Sequence, residues 1–214
     1  MTPSRHGPVD AILVAGGHGR RAGGPKALRP AGSELAWRAQ VAALRAAGCR
    51  QVAAVLHPDA WLPHYAPAAA DGALVVVADP DRPMLASLQR AIAALADPGA
   101  ALDPAVAVAV LPVDCPMPQP SVLAALVAAW FACPGAAVVR PCVVVDGRSR
   151  AGHPLLLSAA ALSAIAALDG ENDRLDHWIA AQRADVAGGR VLDVAVDDGG
   201  ILANFNVDAP PLGA

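Results

Sequence analysis

The chain concentrates its chemistry in Leu13-Val14-Ala15-Gly16-Gly17-His18-Gly19-Arg20-Arg21-Ala22-Gly23-Gly24-Pro25-Lys26. A short apolar run, Ala11 to Val14, reads as a buried strand that empties into a loop with five glycines, two arginines and a lysine. Glycines let backbone N–H groups approach an anion closely, and the cations neutralise it. Polyphosphate is the ligand that needs both. Gly17 to Ala22 satisfies the dinucleotide pattern G-x-G-x-x-G/A, but that pattern requires a helix to open over its last residues. Here Gly23-Gly24-Pro25 follows, a poor place for a helix to continue. A Walker loop needs Gly-Lys-Ser/Thr, and this chain has Gly24-Pro25-Lys26-Ala27. The third reading is a long loop wrapping a nucleoside triphosphate, with Lys26 delivered after the turn. A ligand-free surface loop is the bland alternative, and the coincidence of basic residues with strand context speaks against it.

Asp114 is the second chemical position. It follows the most hydrophobic run of the chain, and Pro112 and Pro116 stiffen its turn. A carboxylate at the carboxyl end of a central strand sits over the ligand crevice and is a hard oxygen ligand of the kind magnesium takes. An aspartate that merely caps the next turn has the same spacing. Ser87, in Met84-Leu85-Ala86-Ser87-Leu88, falls at a helix start, where free N–H groups and the dipole favour an anion or a base edge.

These pieces resemble the MobA-like nucleotidyltransferases, which include the molybdenum cofactor guanylyl- and cytidylyltransferases and the nucleotide-sugar pyrophosphorylases. The resemblance is carried by Ala15-Gly16-Gly17…Arg21-Ala22-Gly23-Gly24-Pro25-Lys26, by Met84 to Leu88 and by Leu111-Pro112-Val113-Asp114-Cys115-Pro116. Gly152-His153-Pro154 and the tail Asn206-Val207-Asp208-Ala209-Pro210 continue it in the family's order, over nearly the whole chain.

The resemblance implies that an acceptor phosphate attacks the α-phosphorus of CTP or GTP in line and that pyrophosphate leaves. It implies catalytic roles for Lys26, Arg21 and Asp114, and nucleotide binding by Ala15, Gly16, Gly17, Gly23, Lys26 and Ser87. His153, with Arg150 nearby, falls to the acceptor. The metal is magnesium, with manganese as a substitute, on Asp114 and Asn206, with Asp208 as a further candidate. An asparagine amide oxygen can ligate magnesium but carries no charge. The Gly-His-Pro element points to the molybdenum cofactor branch, hence to molybdopterin as acceptor and to a molybdoenzyme or its chaperone as recipient of the product. A sugar-1-phosphate acceptor is the alternative, as is a nucleotide-binding module without turnover. The Ala15-Gly16-Gly17 triplet looks like the guanylyl branch and Gly152-His153-Pro154 like the cytidylyl branch, with a slight lean to CTP. Gly170-Glu171-Asn172-Asp173-Arg174 departs from the family's Gly-Asp-x-Gly-x-Arg, and Pro210-Pro211 departs from its usual acidic continuation.

The elements that must position these residues alternate between strand and helix. Strands are expected at Gln51 to Leu56, Leu74 to Ala78, Ala105 to Leu111, Ala136 to Val145 and Val191 to Val196. Helices are expected over Glu34 to Ala47, capped by Ser33, and over Met84 to Leu95, Pro118 to Ala132, Leu155 to Leu168 and Asn172 to Gln182. The alternation gives an α/β fold, a single-domain doubly wound and mostly parallel sheet, and the resemblance makes it the Rossmann-like nucleotidyltransferase fold. One domain over residues 1–214 is expected, with the nucleotide in about 9–117 and the acceptor in about 118–210.

Hydrophobic residues make up 55% of the 214 and charged ones 16%, so the chain has material for a sizeable core. A net charge of −3 argues against a general nucleic-acid binder, so the anion site must be local. No leader peptide and no apolar run of about 18–20 residues is visible, so no membrane partner is expected. The four cysteines show no C-x-x-C pair, and reduced thiols in the cytoplasm are the default.

Overall fold

The computed structural model describes residues 9–61, 72–96, 102–184 and 190–204. In chain order they form β1 (Val9–Ala15), the small hairpin β2 (Pro30–Ala31) and β3 (Glu34–Leu35), α1 (Ala36–Ala46), β4 (Cys49–Leu56) and β5 (Leu74–Val77). There follow α2 (Met84–Leu95), β6 (Ala107–Pro112), α3 (Pro120–Ala132), β7 (Val138–Val145), β8 (Arg148–Ala151) and β9 (Leu155–Leu157). The last elements are α4 (Ala159–Ala166), α5 (Leu175–Ala184) and β10 (Val191–Ala195).

The main sheet runs β10-β7-β9-β6-β1-β4-β5, with β8 pairing β7. Its β5-β4-β1-β6 half is parallel, as is the β7–β10 pair, while β9 lies antiparallel between β6 and β7. The fold is therefore the expected α/β architecture on a mixed, mostly parallel sheet. Every residue of β1 is buried, and alternate side chains enter opposite layers. Ala11 and Leu13 pack with Trp37 and Leu44 of α1 and Leu126 and Trp130 of α3. Ile12 and Val14 pack with Leu88 and Ile92 of α2, Leu162 of α4 and Ile179 of α5. A central strand covered on both faces reads as a continuous apolar run, as β1 and β6 do. No described helix is long and apolar enough to cross a membrane.

Three expectations need correction. Ser33 does not cap a helix from Glu34: Glu34 and Leu35 pair with Ala31 and Pro30 around Gly32, and α1 starts at Ala36 behind Leu35, without a side-chain cap. Leu155 to Leu168 is not one helix. Leu155–Leu157 fills the gap between β6 and β7 as a fully buried strand, and Ser158 then caps α4 through the N–H of Ala161. A three-leucine run carries no periodicity that tells strand from helix, and the open sheet position decides it. The β7–β8 hairpin also went unread, although Asp146-Gly147, both at positive φ, is the two-residue turn such hairpins favour. The following helix, α5, begins at Leu175 and not at Asn172.

Candidate active site

The sheet delivers two loops to the same edge. β1 and β6 are parallel neighbours with Val14 opposite Pro112, so the glycine loop and the Asp114 turn leave at the same level. The Val113 N–H donates to the Val14 carbonyl at 2.9 Å and the His57 N–H to the Ala15 carbonyl at 3.2 Å, extending the sheet's bonding to the last residue before the loop.

Within the loop, Gly19 takes φ +60, and its carbonyl accepts the N–H groups of Ala22 (2.7 Å) and Gly24 (3.2 Å). A Cβ at Gly19 would run into the Gly24 carbonyl, in a conformation that already favours glycine. Gly16 is held by a different constraint. A Cβ there would collide with Cβ of Ala78 and lie 3.1 Å from Oγ of Ser87, so the glycine loop can lie against the start of α2 only without a side chain.

The loop ends in the turn Lys26–Leu28, which returns Lys26 to Asp114: Nζ donates to Oδ2 at 2.7 Å, with the side chains 20% and 21% exposed. The other oxygen of Asp114 makes no hydrogen bond among the described residues. Gln40, reaching from α1, donates through Nε2 to the carbonyls of Val113 (3.1 Å) and Cys115 (2.7 Å), fixing the backbone on both sides of Asp114. Sequence reasoning missed Gln40. Its signal was a lone amide in the apolar stripe of Trp37, Val41 and Leu44. Burial, with the Asp114 charge adding to it, pushes the Cys115 thiol up to about 12, so it is no nucleophile.

Ala15, Gly16, Gly17, Lys26, Ser87 and Asp114 line one cavity of about 280 Å³, together with Arg82 and Met84. Of the expected nucleotide residues Gly23 alone stays outside this lining; at φ +76 it closes the turn Arg20–Ala22. Arg21 belongs to that turn, but its side chain lies outside the described residues, as do Asn206 and Asp208 entirely.

A second cavity, about 570 Å³, shares Met84 with the first and is lined by Arg140, Gly152, His153, Arg174 and Asp176 among others. Here the His153 N–H donates to the Ile201 carbonyl at 3.0 Å, and a Cβ on Gly152 would strike that same carbonyl. Nδ1 of His153 is buried without a partner among the described residues, and such a group suits a ligand. Burial pushes the His153 pKa down, while the Asp114 charge and a bond with the Val110 backbone pull the other way. Asp193 holds Arg140 at 2.6 Å and also bonds Arg183. Arg150 stands elsewhere, exposed on β8 opposite Val143 and outside the lining of either cavity. Arg82, which lines the first cavity, forms an ion pair with Glu171, a use of Glu171 that the sequence did not disclose.

Among the described residues no three His, Cys, Asp or Glu side chains cluster as a metal cage. Asp114 is the one carboxylate among the described residues lining the first cavity. A hard divalent ion fits that donor set when phosphate oxygens and water complete its shell, as is usual for magnesium.

Similar solved structures support the fold. Rv0371c from Mycobacterium tuberculosis H37Rv is 24% identical, with a TM-score of 0.69 over 94% of this chain and 93% of that one. A manganese complex of Rv0371c is 23% identical, with a TM-score of 0.61 over 89% and 88%. The 2-C-methyl-D-erythritol 4-phosphate cytidylyltransferase of Thermus thermophilus is 20% identical, with a TM-score of 0.59 over 95% and 94%. No curated protein sequence matches the chain. The model of the MobA-like NTP transferase domain matches residues 11–186, which contain the glycine loop, Ser87, Asp114 and His153. A match of that extent shows the family: this chain is a nucleotidyltransferase of the MobA-like NTP transferase domain family.

Proposed function

We propose that the chain is one domain over residues 1–214 that transfers a nucleoside monophosphate from CTP or GTP to molybdopterin, with the nucleotide in about 9–117 and the acceptor in about 118–210. The observation that carries this reading is the convergence of the glycine loop, Lys26, Ser87 and Asp114 on one cavity that meets the His153 cavity at Met84. An acceptor phosphate is already ionised, so the reaction needs no general base, and positioning with charge neutralisation supplies most of the acceleration. Lys26 and Arg21 hold the triphosphate, and the amides of Gly16, Gly17 and Gly23 cradle it. Ser87 meets the base and ribose side. His153, kept neutral by burial, accepts a hydrogen bond from a pterin N–H through Nδ1. Arg140, paired with Asp193, and Arg174, paired with Asp176, line that cavity, and Arg150 meets the acceptor phosphate only if β8 brings it inward.

Asp114 and Asn206 are the residues that would hold magnesium, or manganese in its place, and the ion would supply charge neutralisation of the triphosphate. The manganese complex of Rv0371c supports a divalent ion. The four free cysteines accord with a reducing compartment, and we assign the chain to the cytoplasm, with a molybdoenzyme or its chaperone receiving the product. The Thermus thermophilus likeness favours a second reading, a small polyol or sugar phosphate as acceptor.

The test is a panel: CTP, GTP, ATP and UTP, each with magnesium or manganese, against molybdopterin, methylerythritol phosphate and a sugar 1-phosphate, read as pyrophosphate release. Turnover with molybdopterin alone supports the first reading, and turnover with a polyol or sugar phosphate alone replaces it with the second. Nucleotide binding without turnover on any acceptor makes the chain a binding module.

A further inference from the structure

We propose that His57, His18 and Asp81 form a one-directional hydrogen-bonded clasp that holds the glycine loop against the segment entering α2, with His18 as a positioning residue for that loop. This rests on the reading of the loop as the cradle of a nucleoside triphosphate.

The direction of the clasp follows from its donors. His57, just beyond β4, is 6% exposed. Its Nδ1 accepts the N–H of Asp59 at 3.1 Å, so its ring proton sits on Nε2. That Nε2 lies 3.3 Å from Nδ1 of His18, which must accept and so carries its own proton on Nε2. The His18 Nε2–H then meets Oδ1 of Asp81 at 2.9 Å. Each ring is neutral, with one nitrogen donating and the other accepting, and every ring nitrogen of the clasp has a partner.

Three separate segments are joined this way. His57 follows β4, His18 sits between Gly17 and Gly19, and Asp81 precedes Arg82. Gly17, Gly19 and Arg82 all line the 280 Å³ cavity. A loop with glycine at 16, 17, 19, 23 and 24 has little intrinsic stiffness, and a ring anchored to a buried partner on one side and a carboxylate on the other supplies it. The His18 bond holds the Asp81 carboxyl below the ordinary carboxylate range, so the acceptor stays charged as the solution is acidified.

The Asp59 carboxylate lies 3.5 Å from Nδ1 of His57. The charged groups facing His18 are Asp81 and Arg20, whose guanidinium lies 3.7 Å from Asp81, with Lys26 in the same outer cleft. His18 and Asp59 face His57.

The test combines two measurements on the full chain. Long-range proton–nitrogen spectra read the tautomers, and calorimetric titration with CTP and GTP in magnesium, without acceptor, reads the loop. The clasp predicts Nε2–H tautomers for both rings at neutral pH. It predicts nucleotide binding about tenfold weaker in His18→Ala and in Asp81→Ala, the scale of one charge-assisted hydrogen bond. The double variant should be no weaker than either single one. An Nδ1–H tautomer at either ring overturns the clasp whatever the enzyme does. Correct tautomers with unchanged binding in His18→Ala overturn the positioning role and leave the proposed function standing. A wild-type chain that binds neither nucleotide overturns both.

Discussion

Lys26 donates its ammonium to Oδ2 of Asp114 at 2.7 Å, joining residues 88 positions apart at the mouths of adjacent parallel strands. The pair sets a cation and an anion on one cavity wall, the former able to meet phosphate oxygens and the latter a divalent ion. Lys26→Met keeps the stem and deletes the charge. Its kcat for pyrophosphate release should fall about 10²- to 10³-fold, the usual cost of losing one charge-stabilising donor, with a higher KM for the nucleotide. Steady-state kinetics on wild type and variant check it.

Gly16 and Gly17 are neighbours in sequence and opposites in tolerance. A Cβ at Gly16 collides with Ala78, and one at Gly17 has nothing within 4 Å. Gly16→Ala should lower stability by about 1–3 kcal/mol, as overpacking does, and raise the nucleotide KM. Gly17→Ala should leave stability unchanged. Thermal melts of the two variants side by side decide it.

Gln40 supports the Asp114 turn from within the core. Gln40→Leu leaves the carbonyls of Val113 and Cys115 without that donor, a loss of about 1–3 kcal/mol readable by urea unfolding. Because those carbonyls flank Asp114, kcat should drop as well while nucleotide affinity changes little. Unfolding curves and kinetics on the same preparation separate the two effects.

His153 gives a pH signature. Burial lowers its folded-state pKa below the ordinary 6.5. Between that value and the lower folded one, the unfolded chain binds a proton that the folded chain does not. Its contribution to stability is therefore full above 6.5 and is lost as pH falls through this window. His153→Gln should flatten that part of the stability profile, measured as the difference between wild-type and variant urea midpoints from about pH 7.5 to 5.

Much of this was legible in the sequence because it depends on local pattern. The apolar runs of β1 and β6, the Gly-Gly-Pro interruption and the proline-flanked Asp114 each state a strand, a loop that is no helix, and an acid at a strand's end. What was not legible depends on distance. Leu155–Leu157 is a strand because β6 and β7 leave a gap its own sequence cannot reveal, and Glu34-Leu35 leaves the helix to pair with Pro30-Ala31. Gln40 is 73 positions from the carbonyl of Val113, and His18 is 63 from Asp81, so neither partner could be read from spacing. Glu171 looked like a weakened family motif and is instead the partner of Arg82.

The most direct measurement is pyrophosphate release by Asp114→Ala beside wild type, with CTP or GTP, magnesium and the acceptor that the panel selects. The account predicts that turnover is lost while the melting profile and nucleotide binding persist, since the carboxylate serves the reacting phosphates and the fold is carried elsewhere. An Asp114→Ala protein that releases pyrophosphate at the wild-type rate, still dependent on magnesium, would contradict it.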